Sequence, residues 1–346
     1  MKTSDFTYEL PTELIAQQPA ARRDESRLLW LRRDTGEVSH HRFSELPSLL
    51  HAGDRLVLND TRVIPARLHC TRETGGAVEV LFTKRLTPMR WEALVRPGRR
   101  LRPGTVLFPA AEPQCRLQVH AVLPDGSRVI EMPDNELGDT LDSLIERVGA
   151  PPLPPYIERE ADPRDRERYQ TVYAREPGAI AAPTAGLHFT EELMQTLAEK
   201  GIERSCLTLH VGIGTFRPVK TEDPREHDIH TEQFVLPEQT GLEIAQTRQT
   251  GGRIVAVGTT SVRVLEYCAT ADGTVCPGSG DCNLFILPGY GFRAVDAMIT
   301  NFHLPRSTLL MLVCAFAGMD PVLAAYREAV RQRYRFYSYG DAMLIA

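Results

Sequence analysis

A chain of 346 residues exceeds the usual extent of one hydrophobic core, so its 42% apolar content predicts two domains that need no disulfide staples. A net charge of −5 excludes a protein coated in positive charge, although lysine occurs only at Lys2, Lys84, Lys200 and Lys220 and arginine supplies the other 36 of 40 basic residues. Seven scattered cysteines without a C-x-x-C, no apolar core of signal-peptide type at Met1–Phe6 and no run near the length of a membrane span predict a cytoplasmic protein with reduced thiols.

Along the chain, Arg55-Leu56-Val57-Leu58-Asn59-Asp60-Thr61 is a short apolar run ending in turn residues, a strand candidate. From about Arg67 to Met132 the text changes to short runs, several with period two, punctuated by Gly75-Gly76, Arg96-Pro97-Gly98, Arg102-Pro103-Gly104 and Asp125-Gly126. Five or so close strands with such turns predict a small β-barrel, inserted as residues 67–149 into a larger domain formed by 1–66 and 150–346. The Pro-rich Ala150–Tyr156 is the extended return linker. Beyond it, Thr190–Gly201 carries N-cap threonine, first-turn acids, a late lysine and a glycine stop, the signals of a helix. Strands at Cys206–Val211 and Arg253–Gly258, a helix from Ser261 and an apolar core segment at Ser307–Ala317 complete an α/β main domain.

Four polar clusters leave or enter these apolar runs, where α/β enzymes display catalytic groups. The first, Ala182 to Thr190, contains Thr184, Gly186 and His188; the second, Leu209 to Phe216, contains His210, Gly212 and Gly214. The third is Val257-Gly258-Thr259-Thr260-Ser261-Val262-Arg263, where a strand passes through glycine into hydroxyl residues opening a helix. Its N–H groups and hydroxyls would hold a phosphate or carboxylate, with Arg263 as counter-charge, although ordinary N-capping needs one hydroxyl only. The fourth, Thr300 to Pro305, contains Asn301 and His303. His188, His210 and His303 form a pool of general acid/base candidates, against the plainer reading of hydrogen-bonded structural histidines. Proline at Pro218 after Gly212 and Gly214 argues against a dinucleotide-binding turn, and His227-Asp228-Ile229-His230 lacks the i, i+4 spacing of a catalytic zinc site, so no metal is expected. Arg331, Arg333, Tyr334 and Arg335 interleave cations with aromatics as base stacking and phosphate pairing require, or else form a terminal helix with rings inward.

The longest motifs, Leu58 to Arg67, Arg168 to Ala174, Ala182 to Thr190, Leu209 to Pro218, Val257 to Arg263, Ile299 to Leu310 and Tyr337 to Met343, closely resemble the S-adenosylmethionine:tRNA ribosyltransferase-isomerases of queuosine biosynthesis. The resemblance implies an α/β main domain interrupted by a β-barrel. It also implies transfer and isomerisation of the ribosyl moiety of S-adenosylmethionine onto the aminomethyl group of a 7-deazaguanine at the tRNA wobble position. Adenine and methionine leave, and S-adenosylmethionine is consumed as substrate with no metal or other cofactor. Cys282-Asn283 departs from the family, which usually has threonine before the acidic or amide residue.

On this basis His188, His210 and His303 are assigned to proton transfer. Thr184, Gly186, Gly212, Gly214, Thr259, Thr260, Ser261, Arg263 and Asn301 are assigned to substrate, and Arg331, Arg333, Tyr334 and Arg335 to tRNA. The expected partners are tRNA and S-adenosylmethionine, with no membrane and no obligate protein partner. Two other classes fit the same features more loosely: an S-adenosylmethionine-dependent RNA methyltransferase, and a non-catalytic RNA-binding protein.

Overall fold

The structure, a computed structural model, describes residues 1–133, 138–212, 214 and 219–346. Seventeen strands are found among them. In chain order these are β1 (Arg27–Leu31), β2 (Val38–Arg42), β3 (Arg55–Asn59), β4 (Thr61–Val63), β5 (Arg67–Arg72), β6 (Ala77–Thr87), β7 (Arg90–Arg96), β8 (Val106–Pro109) and β9 (Leu117–Val122). There follow β10 (Arg128–Glu131), β11 (Glu176–Ala179), β12 (Glu203–Leu209), β13 (Glu232–Leu236), β14 (Ile254–Val257), β15 (Gly278–Cys282), β16 (Ala297–Asn301) and β17 (Ala342–Ile345).

The chain divides into two compact units. One comprises Met1–Arg62, Pro154–Arg159 and Arg168–Ala346; the other comprises Val63–Leu153 with Glu160–Glu167. The second unit thus begins four residues before the expected Arg67 and takes in a stretch beyond the Pro-rich segment.

The larger unit is built on a nine-stranded sheet of order β15-β13-β12-β3-β14-β16-β17-β1-β2. Its centre, β12-β3-β14-β16, is parallel, whereas β13, β15, β17 and β2 add antiparallel pairings. Central strands buried on both faces read as continuous apolar runs, and every residue of β3, β14 and β16 is buried. Successive residues face opposite sides: Val57 enters one core with Ile254, Ala256 and Met298, while Leu56 and Leu58 enter another with Val255, Val257 and Ile299. The first core is covered by the helices Thr259–Tyr267, Thr308–Ala317 and Met319–Arg331; the second is covered by the helix Glu191–Glu199.

The helix ends follow the local chemistry. Thr190 caps Glu191–Glu199 by accepting from Leu193 N–H at 3.1 Å, and Ser307 caps Thr308–Ala317 by accepting from Leu310 N–H at 3.2 Å. Among the described residues, no single helix is long and apolar enough to cross a membrane.

The smaller unit is a closed barrel of order β10-β7-β6-β5-β8-β9 with antiparallel pairings throughout. Closure leaves no unpaired sheet edge, and Leu68, Val80, Phe82, Leu107, Leu117, Val119 and Ile130 fill the interior. Five of its strands coincide with the runs read from the sequence. The sixth, β5, alternates buried Leu68 and Cys70 with exposed His69 and Thr71.

Candidate active site

Parallel pairing brings four strand ends to one border of the sheet. Asn59 ends β3, Leu209 ends β12, Val257 ends β14 and Asn301 ends β16, all at their carboxyl termini, where open α/β sheets hold their ligands. Asn59 ties three of these together. Its Nδ2 donates to Leu209 O at 3.0 Å and to Thr260 Oγ1 at 3.4 Å, and its Oδ1 accepts from Leu209 N–H at 2.9 Å.

A cavity of about 660 Å³, partly open to solvent, lies at this border. Thr184, Thr259, Thr260, Asn301 and His303 line it, joined by Gly258, Thr300, Tyr156, Tyr337 and Ser338. Gly258 has φ 88, a left-handed conformation that glycine adopts without a Cβ penalty, and provides no side-chain cap for the helix Thr259–Tyr267. Val262 N–H is the first to bond back, to Gly258 O at 3.2 Å. The preceding N–H groups of Thr259, Thr260 and Ser261 therefore form an uncapped helix N-terminus, and it opens on the cavity wall, an arrangement suited to a carboxylate or phosphate.

Asn301 is held from three sides. Its Oδ1 accepts from Thr184 Oγ1 at 2.8 Å, while its Nδ2 donates to His188 Nε2 at 3.1 Å and to Tyr337 O at 3.3 Å. His188 also meets Ser26 Oγ through Nδ1 at 2.7 Å and packs on Phe43. Both ring nitrogens are therefore engaged away from the cavity. Burial, followed by the charges of Arg335 and Arg23, pushes its pKa down to about 3. His188 is a neutral support for Asn301, which corrects its expected place in the proton-transfer pool.

His303 does line the cavity. Its Nε2 shares a hydrogen bond with Thr300 Oγ1 at 2.8 Å, and its Nδ1 has no partner among the described residues. Burial pushes its pKa down to about 3 as well, so the ring is neutral at physiological pH. His210 is half-buried away from that wall, with Nδ1 on Thr61 Oγ1 at 2.8 Å. Its pKa is lowered by burial against the raising influence of Glu176 and Asp60. The three imidazoles do not share one cavity.

Other expected site residues also separate. Gly186 is buried beside Tyr173, whose hydroxyl lies 2.1 Å from where a Cβ would stand, so its glycine serves close packing. Ser261 Oγ donates to Val257 O at 2.8 Å inside the helix and is fully buried, so it offers no hydroxyl to substrate. Arg263 is ion-paired with buried Glu232 and donates to Leu284 O at 3.1 Å and Cys282 O at 3.2 Å. Its charge is internally matched and does not reach the helix N-terminus. With Gly214, His227, His230 and Glu232 it lines a second cavity of about 450 Å³. Gly212 donates its N–H to Glu232 Oε1 at 2.9 Å. The remaining turn residues, Ile213 and 215–218, including the proline expected to stop a helix, lie outside the described residues.

At the C-terminus Tyr334 is fully buried, with Phe302 at 5.5 Å, His40 at 5.7 Å and the Arg27 guanidinium 3.7 Å above its ring. Its ring has no free face for a base, which corrects its assignment to tRNA. Arg331 is exposed but clamped on Glu328 at 2.6 Å, Arg335 donates to Gln18 O at 3.3 Å, and Arg333 is exposed.

Sequence reasoning passed over Asn59, Tyr156 and Tyr337 as site residues. The Tyr156 and Tyr337 rings pack with centroids 4.1 Å apart at a tilt of 41°, and the buried Tyr337 hydroxyl has no hydrogen-bond partner among the described residues although its residue lines the cavity. Burial raises the Tyr337 pKa, so the phenol stays protonated. Tyr337 also sits at φ 72, a left-handed conformation rare for a bulky residue. The repeated tyrosines around Ser338 were the one available signal. Among the described residues, the single cluster with metal-ligand spacing, Glu112, Cys115 and Asp139 of the barrel unit, has both carboxylates bound by Arg147 at 2.7 and 2.6 Å.

Comparisons with known proteins agree with this geometry. The family described as queuosine biosynthesis protein matches residues 3–345. A Symbiobacterium thermophilum protein named S-adenosylmethionine:tRNA ribosyltransferase-isomerase is 55% identical, and one of the same name from Pelobacter propionicus is 52% identical, each over 100% of both chains. The crystal structure of an S-adenosylmethionine tRNA ribosyltransferase from Thermotoga maritima is 40% identical, covers 99% of this chain and 100% of its own, and superimposes with a TM-score of 0.56. A sheet border with an uncapped helix, a cavity beside it and full-length identity above 50% thus converge on one conclusion: the chain belongs to the enzyme family of S-adenosylmethionine:tRNA ribosyltransferase-isomerases in queuosine biosynthesis.

Proposed function

We propose that the cavity at the carboxyl border of β3, β14 and β16 binds S-adenosylmethionine. There its ribosyl moiety is transferred to the aminomethyl group of 7-aminomethyl-7-deazaguanine at the tRNA wobble position, giving epoxyqueuosine-tRNA with release of adenine and methionine. The observation that carries this reading is the uncapped N-terminus of the helix Thr259–Tyr267 in the wall of a cavity that also holds a histidine with an unpartnered ring nitrogen. The N–H groups of Thr259 and Thr260 receive the methionine carboxylate. The closely packed rings of Tyr156 and Tyr337 offer an aromatic surface to the adenine.

A sulfonium withdraws electron density from the adjacent ribose carbon and makes its C–H acidic, so one positioned base starts the sequence. With Nε2–H donating to Thr300 Oγ1, His303 Nδ1 carries the lone pair and takes that proton. The chemistry invoked involves no electron transfer and no Lewis acid, so S-adenosylmethionine enters as a substrate and no metal or further cofactor is required. The seven free thiols suit a reducing, cytoplasmic setting.

The test is chromatography of the small-molecule products in the presence and absence of tRNA bearing the deazaguanine. Adenine and methionine in equal amounts, dependent on the modified base, support the reading; S-adenosylhomocysteine would show a methyltransferase instead. His303→Ala is expected to lower kcat by about 100-fold or more, the usual scale of a lost general base. Because the His303 pKa lies near 3, the wild-type rate has no limb from this group between pH 5 and 7. An acid limb lying below the usual imidazole range that vanishes in His210→Ala would transfer the role to His210, whose pKa burial lowers.

A further inference from the structure

We propose that the loop from Arg96 to Arg102 in the barrel unit is a docking surface for the phosphate backbone of RNA. From Ala93 to Ala111 the sequence contains four arginines, Arg96, Arg99, Arg100 and Arg102, and no acidic residue. All four are exposed.

Three other exposed arginines of the barrel unit are matched by acids, Arg85 by Asp142 at 2.7 Å, Arg90 by Glu131 at 2.8 Å and Arg147 by Glu112 at 2.7 Å, whereas exposed Arg116 stands singly without one among the described residues. None of the four loop arginines has an acidic partner within 4.0 Å among the described residues. Glu79, which stands opposite Arg96 in the β6–β7 register, lies against Arg67 at 4.0 Å.

The loop is also built rather than merely charged. Buried Arg128 donates from Nε to Leu101 O at 2.9 Å and from Nη2 to Gly98 O at 2.8 Å, fixing the backbone from beneath. Leu101 is buried at 1% exposure between exposed Arg100 and Arg102. A turn closed by Leu101 N–H on Gly98 O at 3.1 Å, followed by Thr105 N–H on Arg102 O at 3.0 Å, completes the frame. A buried cation spent on carbonyls beneath a cluster of unmatched cations preorganises positive charge, and a polyanion with regularly spaced phosphates is the partner that repays it. A solvated charge run would need no such anchor.

The proposal rests on the reading of tRNA as substrate, and the experiment separates the two. The full-length enzyme is titrated with fluorescently labelled tRNA at several salt concentrations, alongside adenine release with tRNA bearing the deazaguanine. Replacing Arg96, Arg99, Arg100 and Arg102 together by alanine is expected to weaken tRNA binding at least tenfold near 0.1 M salt. It should flatten the slope of log K against log salt by about 3, the value for four lost phosphate contacts. KM for tRNA rises while KM for S-adenosylmethionine does not. Lysine at the same four positions restores most of the slope, as a requirement for charge demands, and Arg85→Ala with Arg90→Ala leaves it unchanged. An unaltered slope and KM for tRNA in the fourfold alanine variant would overturn the docking surface. Absence of adenine release in the wild type would instead overturn the functional reading while leaving the salt slopes to decide the loop.

Discussion

Tyr337 combines a left-handed backbone, a ring packed against Tyr156 and a hydroxyl without a partner among the described residues, all in one cavity-lining residue. A buried polar atom left unpaired is destabilising by about 1–3 kcal/mol, so Tyr337→Phe is expected to preserve or raise the thermal midpoint while raising KM for S-adenosylmethionine. Loss of stability without change in KM would show that the hydroxyl serves the fold. Asn59 and Asn301 show why such residues escape a linear reading. The Leu209 backbone that Asn59 binds is 150 positions away, and the His188 partner of Asn301 is 113 positions away. The residue types at the strand ends were legible, whereas which of them meet depends on sheet order. Ser261 and Arg263 illustrate the same gap: a hydroxyl and a guanidinium near a helix start are legible as types, but their commitment to Val257 O and Glu232 is a tertiary fact.

Among elements, the helix Glu191–Glu199 was the most legible because cap, first-turn acids and terminal glycine all lie within twelve residues. Its Thr190 cap is expected to be worth about 1 kcal/mol, so Thr190→Ala lowers stability by that amount in urea denaturation and Thr190→Ser restores most of it. Strands β3 and β14 were legible for a different reason, since burial on both faces makes them largely apolar, whereas β16, buried likewise, was not read as a strand because Thr300 and Asn301 give its end the look of a polar cluster. Strand β5 was not legible either, because exposed His69 and Thr71 alternate with its two buried side chains as polar residues that also suit a loop. The C-terminal arginine and aromatic run was legible as a composition but not as a structure. Tyr334 and Phe336 turn wholly inward, leaving only Arg331, Gln332 and Arg333 as exposed side chains there.

At the scale of the whole molecule, two neutral imidazoles, His188 and His303, link stability to acidity. Each has a pKa near 3 when folded against 6.5 when unfolded, so between those values the unfolded chain binds protons that the folded chain refuses. Stability is therefore full above about pH 6.5 and falls with decreasing pH by about 1.4 kcal/mol per unit for each imidazole. Urea midpoints at pH 7.5, 6.0 and 5.0 should decline accordingly, and His188→Gln should reduce the slope by one imidazole's share. A flat profile over that range would contradict the burial of uncharged rings. The two-unit organisation was legible from the change in strand spacing, but the recruitment of Glu160–Glu167 to the barrel unit was not, because no local pattern marks a segment that returns across a linker.

The great sheet ends laterally in β15, Gly278-Ser279-Gly280-Asp281-Cys282, and in β2, Val38-Ser39-His40-His41-Arg42. Neither border presents the flat apolar ribbon that invites a foreign polypeptide to stack alongside: one is glycine-rich with an acid, the other dominated by imidazoles and a guanidinium. The greasy interior of β3, β14 and β16 is thus shielded from intermolecular zippering by poor templates on either flank.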